Sequence, residues 1–123
     1  MYTLDTNAVI YFAQGETKAL IKLQSIFSSN DSISISTVSV AELFSVANIS
    51  QSEKSAIDNI LDTLYSVPLD ETLARRAGML RAEYNLKLAD SIIAATTLLT
   101  NSTLVTRNIK DFKKIPNLKL LKI

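Results

Sequence analysis

Two glycines and two prolines are the only chain-breaking residues among 123 positions, too few for the many tight turns of an all-β fold. Long helices joined to a few buried strands remain. Apolar residues make up 47% of the chain, enough to build a core and too many for a disordered segment. The length suits a single domain over residues 1–123.

The pattern along the chain alternates between the two periods. Tyr2–Leu4 is a short apolar run that stops at Asp5-Thr6-Asn7, which reads as a strand followed by a helix N-cap. A helix is predicted over Ala8–Ala13, broken at Gly15 and resumed over Glu16–Phe27; Ser28-Ser29-Asn30-Asp31 is a turn. Ile33 and Ile35 alternate with serines in a second strand. Helices are predicted over Val38–Ile49 and Ser52–Leu64, an extended piece over Val67-Pro68-Leu69, and a helix over Glu71–Tyr84 capped by Asp70. A helix over Ala89–Leu99, a strand over Thr103–Thr106 and a last strand over Leu118–Ile123 complete the series. Strands alternating with helices imply right-handed crossovers and a mainly parallel sheet in an α/β fold. Ligands of such sheets bind at the carboxyl ends of the strands, which here means just after Leu4, Ser36 and Thr106.

The chain holds neither histidine nor cysteine. That removes serine-protease-like triads, cysteine nucleophiles, structural zinc sites and ribonuclease mechanisms built on a histidine pair. Any metal must be a hard cation held by oxygen, hence Mg²⁺ or Mn²⁺. No secretory pattern opens the sequence, and its most apolar stretch, Ala89–Leu99, is far shorter than the ~20 residues that span a bilayer. A soluble, cytoplasmic protein with no membrane partner is expected. The net charge of +1 hides an asymmetry: residues 1–70 carry three basic and eight acidic side chains, residues 71–123 ten and four. Such a split suits a polyanion drawn to an acidic pocket, or is a chance segregation of surface charge.

Three acids stand in unusual places. Asp5 directly follows a strand expected to be central, either as a helix cap or as a site residue. Glu42 shares a helical row with Val38 and Val46, so it faces a packed surface or the row's edge, where Ser39 and Ser45 lie. Asp90 opens the most apolar helix, again as a cap or as a site residue. Three carboxylates converging on one end of a parallel sheet need a countercharge, and a divalent metal is the one this composition allows.

Four segments occur in order: Leu4-Asp5-Thr6-Asn7, Ser39-Val40-Ala41-Glu42-Leu43, Leu88-Ala89-Asp90-Ser91-Ile92-Ile93-Ala94-Ala95, and Leu104-Val105-Thr106-Arg107-Asn108-Ile109-Lys110-Asp111-Phe112. Together, over essentially the whole chain, they resemble the PIN-domain nucleases, particularly the VapC-type toxins of toxin–antitoxin pairs. The resemblance implies a three-layer sandwich with a five-stranded, mainly parallel sheet flanked by helices. It also implies Mg²⁺- or Mn²⁺-dependent cleavage of RNA, a homodimer, and an antitoxin protein as partner. Asp5, Glu42 and Asp90 match the family's acids and are the expected metal ligands. Many relatives carry an aspartate where this chain has Asn108; Asp111 either substitutes for it or completes a capping box begun by Asn108.

A bound divalent ion acidifies water and offsets charge on a phosphodiester. On that mechanism Asp5 and Asp90 are direct ligands, and Glu42 completes the shell or accepts the water's proton. Thr6, Asn7, Thr106 and Asn108 are placed to orient water or phosphate. Arg81, Lys87, Arg107 and Lys110 are candidate phosphate contacts, each of which is otherwise a solvated surface charge. Tyr11, Phe12 and Phe44 read as core rather than as stacking platforms. The competing class is a non-catalytic RNA-binding or scaffold protein on the same fold, with Asn108 marking decay of the site. A phosphoacceptor domain fits less well, since such domains want paired acids after the first strand and a lysine after a late one. No glycine-rich phosphate loop is present.

Overall fold

Tyr2–Leu4 (β1) is only three residues long, yet Thr3 and Leu4 are wholly buried. It is the central strand of the sheet and pairs on both sides, with Ile33–Ser36 (β2) and with Thr103–Thr106 (β4). The computed structural model, which describes residues 1–123, shows a five-stranded sheet, all parallel. Tyr65–Val67 (β3) lies outside β2 and Lys119–Lys122 (β5) outside β4, giving the order β3-β2-β1-β4-β5. In register, Leu4 stands between Ile35 and Val105, which brings the residues after all three strands to one end of the sheet.

The alternation of side chains decides what each face packs against. Leu4, Ile35 and Val105 point into one core with Val9 of α1 (Thr6–Ala13), Leu23 of α2 (Thr17–Phe27), Leu43 of α3 (Thr37–Phe44) and Ile57 of α4 (Gln51–Leu61). On the other face Leu104 packs with Ile93 and Ala94 of α6 (Leu88–Leu99) and Phe112 of α7 (Ile109–Phe112), while α5 (Glu71–Tyr84) lies against α6 through Leu73, Ala77, Ile92 and Ala95. The expected three layers are present. Facing α6, β1 and β2 present Thr3 and Ser34 instead of large apolar residues; their hydroxyls lie 2.9 Å apart, and Thr3 reaches Ser102 at 2.6 Å. These small side chains let α6, buried from Ser91 to Thr97, lie close to the sheet. Thr96 and Thr97 donate their hydroxyls back to Ile92 and Ile93, so burial leaves no orphaned polar atom.

Several boundaries differ from the sequence expectation, each for a local reason. The helix expected over Val38–Ile49 ends at Phe44: the Ser45 hydroxyl takes the Glu42 carbonyl at 2.7 Å, and Asn48 adopts φ 60°, which no helix continues through. The helix expected over Ser52–Leu64 starts at Gln51 and stops at Leu61. A capping bond from the Glu53 amide to Ser50 Oγ (3.1 Å) sets its start, and the Thr63 hydroxyl ties off the Ile60 carbonyl at its end. The extended piece expected over Val67–Leu69 is β3, two residues earlier, because Pro68 has no N–H for the ladder. The first helix begins at Thr6, the last strand covers Lys119–Lys122, and α7 is a helical turn where only a capped turn was expected. Asp70 does cap α5, accepting from the Leu73 amide at 2.8 Å, and Asn85 closes it in the left-handed region. No helix is long and apolar enough to cross a membrane.

Candidate active site

Asp5 sits where β1 ends, and its own amide still donates to the Val105 carbonyl of the neighbouring strand. The side chain is therefore fixed before any partner acts on it. Oδ1 accepts the Thr6 amide at 2.8 Å, and Oδ2 accepts the Thr106 hydroxyl at 2.7 Å. The capping role and the site role thus coexist in one carboxylate. Only 6% of Asp5 is exposed. Burial, against the lowering effect of the Thr106 hydroxyl and with further repulsion from Asp90 and Glu42, pushes its pKa up to about 6.

Each neighbouring acid arrives from a different helix. Glu42, half-buried on α3, accepts the Thr6 hydroxyl at 2.6 Å, and that hydroxyl also lies 2.8 Å from Ser39 Oγ. Ser39 is completely buried, so Glu42 lies at the inner side of its row there, while Val46 on the same row is 41% exposed. Asp90 occupies the first turn of α6, whose cap position belongs to Lys87; Asp90 is not the cap. Burial holds its carboxyl above the usual range, opposed by Lys87 and reinforced by Asp111 and Glu42. Asp5, Glu42 and Asp90 thus lie within one another's fields, and none of them is in an ion pair.

Thr106 brackets the fourth segment. Its hydroxyl donates to Asp5 and accepts the Asn108 amide at 2.9 Å, which shapes the turn into α7. Asn108 occupies the cap position of α7 but makes no side-chain cap bond; instead its Nδ2 donates to Asp111 Oδ2 at 3.0 Å. Asp111 also lies 3.9 Å from Lys114. Neither backbone bond of a capping box is made, the two side chains being joined directly instead, and Asp111 keeps an electrostatic reach to Asp90.

The remaining candidates divide. A cavity of about 210 Å³ is lined by Asp5, Asn7, Tyr11, Arg107 and Asn108. Arg107 in its wall is already engaged. Its guanidinium grips both carboxylate oxygens of Glu16, with Nη1 at 2.9 Å, lies 4.1 Å above the Tyr11 ring, and donates from Nε to the Ile123 oxygen at 3.3 Å. Arg107 holds Glu16 below the usual carboxylate range, and Glu16 raises Arg107. Arg81 lies exposed on the last turn of α5 and forms no ion pair; the cation facing Asp90 is Lys87. Lys110 is exposed on α7. Phe12 packs edge-on against Phe27 at 5.7 Å and Tyr11 packs against the same core while carrying Arg107 on its ring, but Phe44 is 53% exposed. The Glu16–Arg107–Tyr11 unit is invisible in the sequence, where Glu16 reads only as the start of a helix. A larger cavity, about 630 Å³ and mostly apolar, lies at the start of β2 and β3 between Phe12, Phe27, Ile33, Ile60 and Tyr65, away from the carboxylates.

The side chains that could ligate an ion at Asp5 offer hard oxygens, and although Lys87 faces Asp90, none of the three carboxylates is in an ion pair; both properties fit Mg²⁺ or Mn²⁺. No three of the acids are grouped closely enough to enclose one ion as the chain stands. Asp5, fixed on both oxygens, and Asp90 and Glu42, within its field, are the residues that could hold such an ion if their side chains drew together.

Known proteins supply the context for this geometry. The PIN domain family model matches residues 2–118. The chain is similar to Ribonuclease VapC2 of Rickettsia felis, 33% identical over 126 residues covering 96% of this chain and 94% of that protein. It is also similar to Ribonuclease VapC19 of Mycobacterium tuberculosis, 26% identical over 123 residues covering 96% and 97%. Among solved structures, VapBC2 from Rickettsia felis bound to a DNA fragment from its promoter superposes with a TM-score of 0.81 at 30% identity, covering 99% of this chain and 98% of that one. A toxin–antitoxin complex from Klebsiella pneumoniae gives 0.81 at 31% identity, covering 98% and 96%.

Proposed function

This chain belongs to the PIN-domain family, and on that premise we propose that it is an endoribonuclease toxin of the VapC type, hydrolysing RNA phosphodiesters with a divalent cation. The observation that carries the reading is Asp5: a buried carboxylate pushed up to about 6, in the field of Asp90 and Glu42, with no protein countercharge. Groups perturbed in this way by burial and like charge gather at functional sites. Asp5, Asp90 and Glu42 are the residues that would hold Mg²⁺ or Mn²⁺. The chemistry that ion supplies when bound is neutralisation of phosphate charge and acidification of water.

The chain's own residues do the rest. Thr106 and the Thr6 amide fix both oxygens of Asp5, so its orientation costs no reorganisation when substrate arrives. Thr6 holds Glu42 through its hydroxyl, and the free oxygen of that carboxylate is left to accept a proton from attacking water. Asn7 and Asn108, both lining the small cavity, offer amides to phosphate oxygens. Asp111 steadies Asn108 rather than acting at the phosphate itself. As in the toxin–antitoxin complexes it resembles, the chain is proposed to pair with an antitoxin protein; it is further proposed to form a homodimer and to work in the cytoplasm as one domain over residues 1–123.

The test is incubation of the partner-free protein with mixed cellular RNA under Mn²⁺, Mg²⁺ or EDTA, beside an Asp5→Asn/Asp90→Asn variant. Discrete fragments that need the metal and vanish in the variant are the expected result. Intact RNA under every metal, with folding checked, would replace this reading by the non-catalytic RNA-binding one.

A further inference from the structure

The cavity holding Asp5 is not closed. Arg107, in its wall, also lines a second and wider groove of about 570 Å³ on the far side, bounded by Glu16, Thr17, Lys18, Lys122 and Ile123. The two spaces therefore meet across one side chain. Their charge differs in sign: the first is built on a buried carboxylate, and the second presents three cations against one acid.

That one acid is spent. Glu16 is gripped by Arg107 through both oxygens, and Arg107 also donates to the Ile123 oxygen, so the pair contributes little net field. Lys18, in the first turn of α2, and Lys122, at the end of β5, are both exposed and form no ion pair. Lys18 and Lys122 both line the groove, and Lys18 lies near enough to Glu16 to lower its pKa. Two unpaired ammonium groups from distant parts of the sequence thus converge on a concave surface that opens from the carboxylate cavity.

We propose that this groove is a phosphate subsite, in which Lys18 and Lys122 hold backbone phosphates of an RNA strand whose neighbouring linkage lies at Asp5. The inference rests on the ribonuclease reading and adds a direction to it: the strand leaves the carboxylates across Arg107, towards β5. Phosphate is the ligand the chemistry selects, because ammonium groups bind it as point charges without demanding a base or a fixed angle. Glu16, by holding Arg107 flat on Tyr11, keeps the passage between the two spaces shaped and prevents the guanidinium from closing over Asp5.

The test measures binding without cleavage. A short fluorescent single-stranded RNA is titrated by anisotropy in EDTA, with KCl varied from about 50 to 200 mM, where counterion release sets the slope of log K on log salt. Each phosphate contact on a single strand contributes about 0.7 to that slope. Lys18→Gln/Lys122→Gln is expected to lower the slope by about 1.4 and to weaken binding roughly tenfold, equally for different RNA sequences. Lys54→Gln/Arg76→Gln, on α4 and α5, which line neither space, serves as the control and leaves the slope unchanged. Circular dichroism confirms folding of both. An unchanged slope in the Lys18/Lys122 variant, or an equal fall in the control, overturns the subsite and leaves the lysines to acidic groups of a protein partner. Wild-type cleavage under Mn²⁺ is scored separately. Cleavage with no slope change refutes the groove alone, and a slope change without cleavage refutes the nuclease reading while retaining the groove. A wild-type protein that binds no RNA in EDTA refutes the groove, and its cleavage under Mn²⁺ then decides the nuclease reading.

Discussion

Replacing Asp5 by Asn should make the protein more stable while removing a carboxylate proposed to hold the metal. The folded chain holds the Asp5 carboxyl at about 6 against an ordinary 3.8. At about 1.4 kcal/mol per pKa unit, keeping it ionised in the folded state costs about 3 kcal/mol above pH 7. The folded-state pKa is raised, so folding is favoured when the carboxyl is protonated. That contribution is complete below pH 4 and is lost as pH rises through about 6. Asparagine is neutral and keeps the contact to the Thr6 amide through Oδ1, but it turns an N–H towards Thr106, whose hydroxyl already accepts from Asn108. Rearranging that hydroxyl offsets about 1 kcal/mol of the gain. The net expectation is stabilisation by about 2 kcal/mol at pH 8, a rise in Tm of roughly 6–10 °C for a chain of this size. Thermal melts in EDTA at several pH values measure it. The gap between variant and wild type should be small near pH 4, open through pH 6 and stay constant above pH 7. Adding Mg²⁺ should narrow it, because only the wild type is stabilised by binding the ion. A variant that melts below wild type at pH 8, or a gap that ignores pH, would refute the electrostatic account of this site.

Other expectations follow from the same contacts. Mn²⁺ affinity, read by calorimetry, should fall steeply below pH 6 as Asp5 takes up its proton. Thr106→Val removes a bond that lowers the Asp5 pKa, so the acid limb of the cleavage profile should move to higher pH, with a stability loss of about 1–2 kcal/mol in melts. Phe112, with no exposed surface, anchors α7; Phe112→Ala should cost about 3–5 kcal/mol by denaturant titration. Asn108→Asp places a further negative charge beside Asp111 and the cavity, and should tighten Mn²⁺ binding while lowering metal-free Tm.

Much of the fold is legible in the sequence because period and punctuation agree: β1, β4 and α5 need only their own residues to be read. Helix ends are less legible where a hydroxyl intervenes, as Ser45 and Thr63 do by taking carbonyls that a pattern of apolar residues cannot anticipate. Asp5, Glu42 and Asp90 are conspicuous because acids are costly at strand ends and on apolar rows. Arg107 is the opposite case. It looks like a free cation beside the site, but its partner Glu16 lies 91 residues earlier, and only the folded sheet brings them together. Thr106 follows the same logic: a threonine ending a strand is ordinary until the strand beside it ends in Asp5.

The placement of β1 also sets a schedule. The strand that carries Asp5 is made first, but its neighbours on either side are residues 33–35 and residues 103–105. During synthesis, then, Asp5 waits for about a hundred residues before Thr106 can reach it and Asp90 can pack beside it. The carboxylates therefore cannot reach the arrangement described above until Thr106 has been made.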